Sequence, residues 1–302
     1  MIGGGSMLAL QLAIVQAWDT SERDALQKDM YQRSAAMLQA DQQAVTHVAT
    51  TLMTDPEWQQ IARDWDQMKT PEQVDALKKV HGMFMAQFEA HGITPNRIEA
   101  FEQAPFFCKS GLICSTRGQF QPVTMQRTTF SFASDEPESV TYYDDSRITW
   151  NTHEWADFLF GDSFEQAVNT MVHESTHGVQ YQLSSNLKHD GQAGREGAYN
   201  QDAAAFQAGY DSYAQDHAKR VTYLYNPLEV QAFSNGDCLE HALRTADKVA
   251  KDQPDLLDPV RAIVSVCMQD HLPGETAHKD PSAEALQQAD TEKDRPAGGP
   301  SV

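Results

Sequence analysis

Two histidines and a glutamate, His173, Glu174 and His177, stand as His-Glu-x-x-His in the run Met171-Val172-His173-Glu174-Ser175-Thr176-His177-Gly178-Val179-Gln180. On a helix, residues four apart project from one side, a turn apart, so both imidazoles can reach one zinc ion at about 2.0–2.1 Å. Glu174 points roughly 100° further round the helix. From there it can take a proton from a water on the ion without being a ligand itself. The pattern supplies two ligands and a base, and it lacks a third ligand. A candidate lies downstream: Glu229 in Tyr225-Asn226-Pro227-Leu228-Glu229-Val230-Gln231-Ala232. With 11 histidines in the chain the motif alone can arise by chance, so its structural setting carries the weight.

That setting reads as an amphipathic helix. Asp162 or Ser163 can cap its start, with Glu165 or Gln166 three residues on for a capping box. Phe164, Val168, Met171, Val172, Val179 and Leu183 recur at three- and four-residue intervals, and no proline intervenes before Leu183. Pro227 suits a first helical turn, which places Glu229 near the start of another helix. An acidic residue is favoured there by the helix dipole alone, so Glu229 has a plain reading beside the metal one.

Around these two helices the chain falls into three parts. Residues 1–104 read as a helical region: Leu8 to Ala17, a long pattern from Asp19 through Met53, then helices opened by Asp55-Pro56-Glu57 and Thr70-Pro71-Glu72. The last of these ends at His91-Gly92, and Ile93-Thr94-Pro95-Asn96 opens a further short helix. Residues 105–271 begin with Phe-, Ser- and Thr-rich segments that suggest short strands. Val140-Thr141-Tyr142-Tyr143 and Arg147-Ile148-Thr149-Trp150-Asn151 read as a hairpin just before the motif helix. A loop from Leu187 to Gly197 follows that helix, then helices over about Gln201 to Arg220, from Pro227, over Asp237 to Asp252 and over Asp258 to Asp270. Residues 272–302 carry almost no large apolar side chains and are expected to be disordered. The fold class expected is α+β, predominantly α.

Composition narrows the partners. A net charge of −20 leaves no basic stripe to neutralise phosphates, which argues against nucleic acid, and it disfavours an anionic membrane surface. A cationic peptide or basic partner would be attracted. The apolar run from Leu8 to Ala17 is too short to span a bilayer, so no membrane insertion is expected. Without a preceding Lys or Arg it reads as a buried helix or a degenerate export signal. Cys108, Cys114, Cys238 and Cys267 allow three pairings. Cys108 with Cys114 would close a short loop and Cys238 with Cys267 would staple two helices, which suits an oxidising compartment; four buried thiols are the alternative.

A small sheet, a His-Glu-x-x-His helix and a later helix bearing a glutamate together resemble the zincin metallopeptidases, in particular the glutamate-zincin branch. The segment Asn226-Pro227-Leu228-Glu229-Val230-Gln231-Ala232 is similar to the Asn-Pro-x-Glu-x-x-Ala segment of several bacterial members, where the glutamate is the third ligand. The likeness covers about residues 140–250. It implies Zn2+ held by His173, His177 and Glu229 with an open fourth position, and Glu174 as the general base. It also implies a donor to the developing oxyanion, for which Tyr225, Tyr223 and His241 are candidates that could equally be packing residues. The strand before the motif helix, Arg147 to Asn151, would be the edge on which extended substrate pairs. One position departs from the thermolysin-like pattern: Phe233 stands where an aspartate orients a zinc histidine. Asn235 and Asp237 are candidates for that task.

The expected activity is zinc-dependent hydrolysis of a protein or peptide substrate. The acidic chain, its even cysteine count and its late motif resemble bacterial secreted effector or toxin metallopeptidases. That resemblance implies a secreted or periplasmic site of action, a cytoplasmic stage before export, and an immunity or secretion-carrier protein as partner. Two other readings remain open: a zinc amidase acting on peptidoglycan stem peptides, and a helical partner-binding protein whose zinc site is structural or degenerate. In the latter case His241 or Cys238 could close the coordination.

Overall fold

The computed structural model describes residues 31–101, 106–107, 113–114, 118–121, 124–130, 137–144, 146–151, 163–217, 223–249 and 257–270. The expected helix over Leu8 to Ala17, the tail over 272–302 and Cys108 lie outside these residues. Within them the architecture is α+β and predominantly α.

Helix α1 (Ala35–Thr54) starts at Ser34, whose hydroxyl accepts from the N–H of Met37. Helix α2 (Pro56–Asp64) carries its proline in the first turn behind the Asp55 cap, and α3 (Thr70–Ala86) also opens on a proline. Both starts lie where the sequence predicts them. Helix α4 (Phe164–Asp190) bears the motif. Its capping box is Ser163 with Gln166, and it stops at Gly191, which takes the left-handed conformation at φ 74°. Helix α5 (Asn200–His217), α6 (Pro227–Val249) and α7 (Leu257–Asp270) complete the helical layer.

Strand β1 (Arg97–Phe101) lies where the sequence reading begins a short helix. Pro95 disfavours helical backbone at the residue before it. Gln182 of α4 then holds Thr94 extended, accepting from its N–H at 2.9 Å and donating to its carbonyl at 2.8 Å. The strands β2 (Phe106–Phe107) and β3 (Ile113–Cys114) pair with each other, as do β5 (Thr124–Phe130) and β6 (Pro137–Asp144). Strand β7 (Arg147–Asn151) therefore makes no hairpin with β6. It sits between β1, which it meets in parallel, and β4 (Gly118–Gln121), which it meets antiparallel. The expectation that Arg147 to Asn151 forms an edge is corrected: among the described residues it is the middle strand, and β4 is an edge. Its backbone is paired on both sides, and both faces are buried as well, with Ile148 and Trp150 on one and Thr149 and Asn151 on the other.

Helix α4 is the axis of the molecule. Helices α3, α5 and α6 pack along it, and β4 crosses it. At its start Phe164 meets Trp65 edge-on at 5.4 Å. One apolar core runs from Met37 and Val45 of α1 through Val80 and Phe84 of α3 to Val172 and Val179 of α4 and Leu239 of α6. Helix α6 is continuous across Asn235-Gly236-Asp237, where the sequence suggested a break. Gly236 is there for proximity: a Cβ on it would stand 2.3 Å from Asn169 Oδ1 and 2.9 Å from the Asn169 carbonyl of α4. A disulfide between Cys238 and Cys267 joins α6 to α7.

Candidate metal centre

Because α4 is uninterrupted, the four-residue spacing of its two histidines brings their Nε2 atoms to 3.2 Å, with the rings nearly perpendicular. Pro227 starts α6 and Asn226 caps it, its Oδ1 accepting from the N–H of Leu228 at 3.0 Å. The first turn of α6 then delivers Glu229 to the imidazoles: Oε2 lies 3.4 Å from His173 Nε2 and Oε1 lies 3.6 Å from His177 Nε2. The three residues offer ligand atoms that all lie within 4.8 Å of one another. The Glu229 side chain is sealed from solvent, while those of His173 and His177 keep 13% and 10% of their exposure. The accessible side of the group is thus the histidine side.

Glu229 is a buried carboxylate, and a buried charge needs partners. Burial alone would raise its carboxyl. The charge of His177, the hydrogen bond and charge of His173 and the Tyr213 hydroxyl outweigh that, and hold it at about 2. Burial pushes the His173 imidazole down, but the hydrogen bond and charge of Glu229 lift it above its ordinary value. Tyr213 of α5 donates to Glu229 Oε1 at 2.8 Å, whereas Oε2 has no well-formed hydrogen bond, His173 Nε2 lying 3.4 Å from it. Two imidazole nitrogens facing each other and a weakly bonded carboxylate oxygen satisfy one another poorly with protons, since a single proton serves only one pair. A divalent cation satisfies all three. Two nitrogens and one oxygen suit zinc, so the residues fit the metal that the sequence resemblance implies.

Glu174 sits at the foot of the sheet. Its Oε2 accepts from the backbone N–H of Phe120 in β4 at 2.7 Å, and the Phe120 ring lies 6.5 Å from that of His177. A second tyrosine, Tyr223, meets Tyr213 edge-on at 5.8 Å. Burial and then the Glu229 charge raise both phenols well above the usual tyrosine range, so both stay protonated donors at neutral pH.

Of the expected oxyanion donors, Tyr223 is therefore the one beside Glu229. Tyr225 is buried at the start of α6 and His241 is exposed on it; no described contact brings either to the metal group. Of the candidates for orienting a zinc histidine, Asp237 acts on His173 through its charge, which helps to raise that imidazole. Asp237 accepts from Asn169 at 3.1 Å, and Asn235 bonds Thr176 and Asp41. Phe233 lays its ring edge-on to His173, centroids 4.6 Å apart. The partner of His177 is Gln180, whose Oε1 lies 2.9 Å from Nδ1.

Behind Gln180 runs a buried polar network. Its Nε2 donates to the Leu228 carbonyl at 2.8 Å and to Gln231 Oε1 at 3.0 Å. Gln231 Nε2 donates to both oxygens of Asp41 in α1, at 3.0 and 2.9 Å. Arg33 pairs with Asp41 Oδ2 at 2.9 Å. Burial raises the Asp41 carboxyl, against the Arg33 charge and the hydrogen bonds of Gln231, Arg33 and Asn235, which lower it.

Sequence reasoning did not single out Gln180, Tyr213 or Phe120 for the site. Gln180 offered a faint signal, one turn beyond His177; the others had none, being ordinary helix and strand residues until the chain folds. No protein-family model matches the chain, and no curated protein and no solved structure matches it.

Proposed function

We propose that this protein is a zinc-dependent metallopeptidase that hydrolyses peptide bonds in a protein or peptide substrate. The observation that carries the reading is the convergence of His173, His177 and Glu229 beside a glutamate anchored at a sheet edge. Zinc, when bound by those three residues, supplies a Lewis acid for a carbonyl and makes water acidic near neutral pH. The chain's own groups do the rest. With Oε2 held by the Phe120 N–H, Glu174 has a fixed direction and presents Oε1 to take a proton from water and pass it to the departing amine. Tyr213 holds Glu229 by its hydroxyl. Tyr223 is the better placed phenol to donate to a developing oxyanion. An extended peptide can lie along β4, an edge of its sheet among the described residues, with the Phe120 N–H already taken by Glu174. The Cys238–Cys267 disulfide supports work in an oxidising compartment, secreted or periplasmic.

The test is zinc content by elemental analysis together with digestion of denatured protein. Wild type and Glu174→Gln should each carry about one zinc per chain, and His173→Ala and Glu229→Ala should lose most of it. Only wild type should digest. A wild-type protein that takes up no zinc when offered it sinks the reading, and cleavage of sacculi but not of denatured protein would move the substrate to peptidoglycan stem peptides.

A further inference from the structure

We infer that Gln180 is the positioning residue that holds His177 in its Nδ1–H tautomer, and that Asp41 of α1 steadies Gln180 through Gln231. The inference rests on the metal-centre reading and adds to it a residue and a direction for every hydrogen bond behind the site.

The argument starts from a group that can only accept. The Leu228 backbone carbonyl lies 2.8 Å from one amide atom of Gln180, so that atom is the nitrogen. The other amide atom, Oε1, then faces His177 Nδ1 at 2.9 Å. An oxygen there obliges the ring to donate, which places the proton on Nδ1 and leaves the lone pair on Nε2. Nε2 is the atom that faces His173 and Glu229, at 3.2 and 3.6 Å. That is the tautomer a metal ligand needs.

The far end of the chain of bonds fixes the same directions independently. Arg33 has donors only, and it bonds Asp41 Oδ2. Asp41 therefore accepts, and its two oxygens draw the nitrogen of Gln231 toward them. That turns Gln231 Oε1 toward Gln180, where it takes the second amide hydrogen. Gln180, Gln231 and Asp41 are all wholly buried, so no water competes for these bonds.

The experiment is two-bond 1H–15N correlation of the histidine rings in the 15N-labelled, metal-free full chain, with zinc affinity by chelator competition on the same samples. Wild type should show His177 as Nδ1–H. Gln180→Met keeps the shape and removes the acceptor; it should populate the Nε2–H form and weaken zinc binding by about 10–100-fold. Gln180→Glu keeps an acceptor facing Nδ1 and should keep the Nδ1–H tautomer, while its second oxygen, set against the Leu228 carbonyl and Gln231 Oε1 where Gln180 donates, should lower stability. Gln231→Met, which leaves the Arg33–Asp41 pair intact, should shift the tautomer part of the way. A wild-type His177 in the Nε2–H form overturns the inference whether or not any variant folds. So does a folded Gln180→Met protein with wild-type tautomer and affinity, and in that case the metal centre itself still stands. Wild type that binds no zinc but loses the Nδ1–H tautomer in Gln180→Met upholds the positioning role and removes the metal reading instead.

Discussion

Glu229 carries its charge where no water reaches it, and that fact orders the residues around it. A buried carboxylate is tolerated only when donors or cations surround it. Here one oxygen has the Tyr213 hydroxyl and the other lies 3.4 Å from the His173 imidazole. Removing the hydroxyl should therefore loosen the carboxylate without unfolding the protein. Tyr213→Phe is expected to weaken zinc binding by about 10–100-fold, as loss of an outer partner of a metal ligand does. Chelator competition measures it, and an unchanged affinity would reduce Tyr213 to a packing residue. At this scale the sequence was readable where spacing along one element decides geometry. His173, Glu174 and His177 share a helix, so their mutual placement follows from its pitch. Tyr213 and Phe120 reach the site from α5 and β4, and nothing local to either residue encodes that meeting.

Two helices hold the three candidate ligands, so the distance between α4 and α6 decides whether the group closes. That distance is set near Gly236, which lies against Asn169, four residues before His173. Gly236→Ala would drive a methyl into the Asn169 carbonyl, at a cost of about 1–3 kcal/mol. It should also displace Glu229 on the same helix, so zinc affinity falls together with stability. Gly82→Ala on α3 is the matched control: nothing lies within 4 Å of its added carbon. That change should stabilise the fold by about 0.5–1 kcal/mol, since glycine inside a helix is unfavourable. Denaturant melts of both variants check the contrast. Helix starts were legible because proline and capping residues announce them. The sheet was less so. The parallel pairing of β1 with β7 joins segments some fifty residues apart, and a middle strand differs from an edge strand by having backbone partners along both sides, which its own residues do not announce.

For the whole molecule, acid should be the destabilising direction around neutral pH, and His81 is one reason. It is buried on α3, where its Nδ1 meets Ser175 Oγ at 2.8 Å. Burial, only partly opposed by a backbone hydrogen bond at Asn96, lowers its pKa from 6.5 to about 4. Between those values the unfolded chain binds the proton and the native chain does not, so stability is complete above about 6.5 and drains as pH falls toward 4. The loss amounts to roughly 3 kcal/mol at 1.36 kcal/mol per unit. Unfolding free energies of metal-free wild type and His81→Gln across that window should show a shallower slope in the variant. The α+β class and the helical weight of the chain were visible from helical periodicity, proline and capping signals, and the change of composition after Pro105. The common core was not, because it depends on α1 and α3 folding back against α4. The position of α1 has a consequence for any attempt to trim the protein. Its Asp41 occupies the space between two fully buried carboxamides of α6, Gln231 and Asn235. A shortened chain that begins at Thr70 would leave both amides facing a hole, each at about 1–3 kcal/mol. The motif helix and its glutamate therefore form no detachable unit, and a fragment of that kind should fail to melt cooperatively however much zinc it is given.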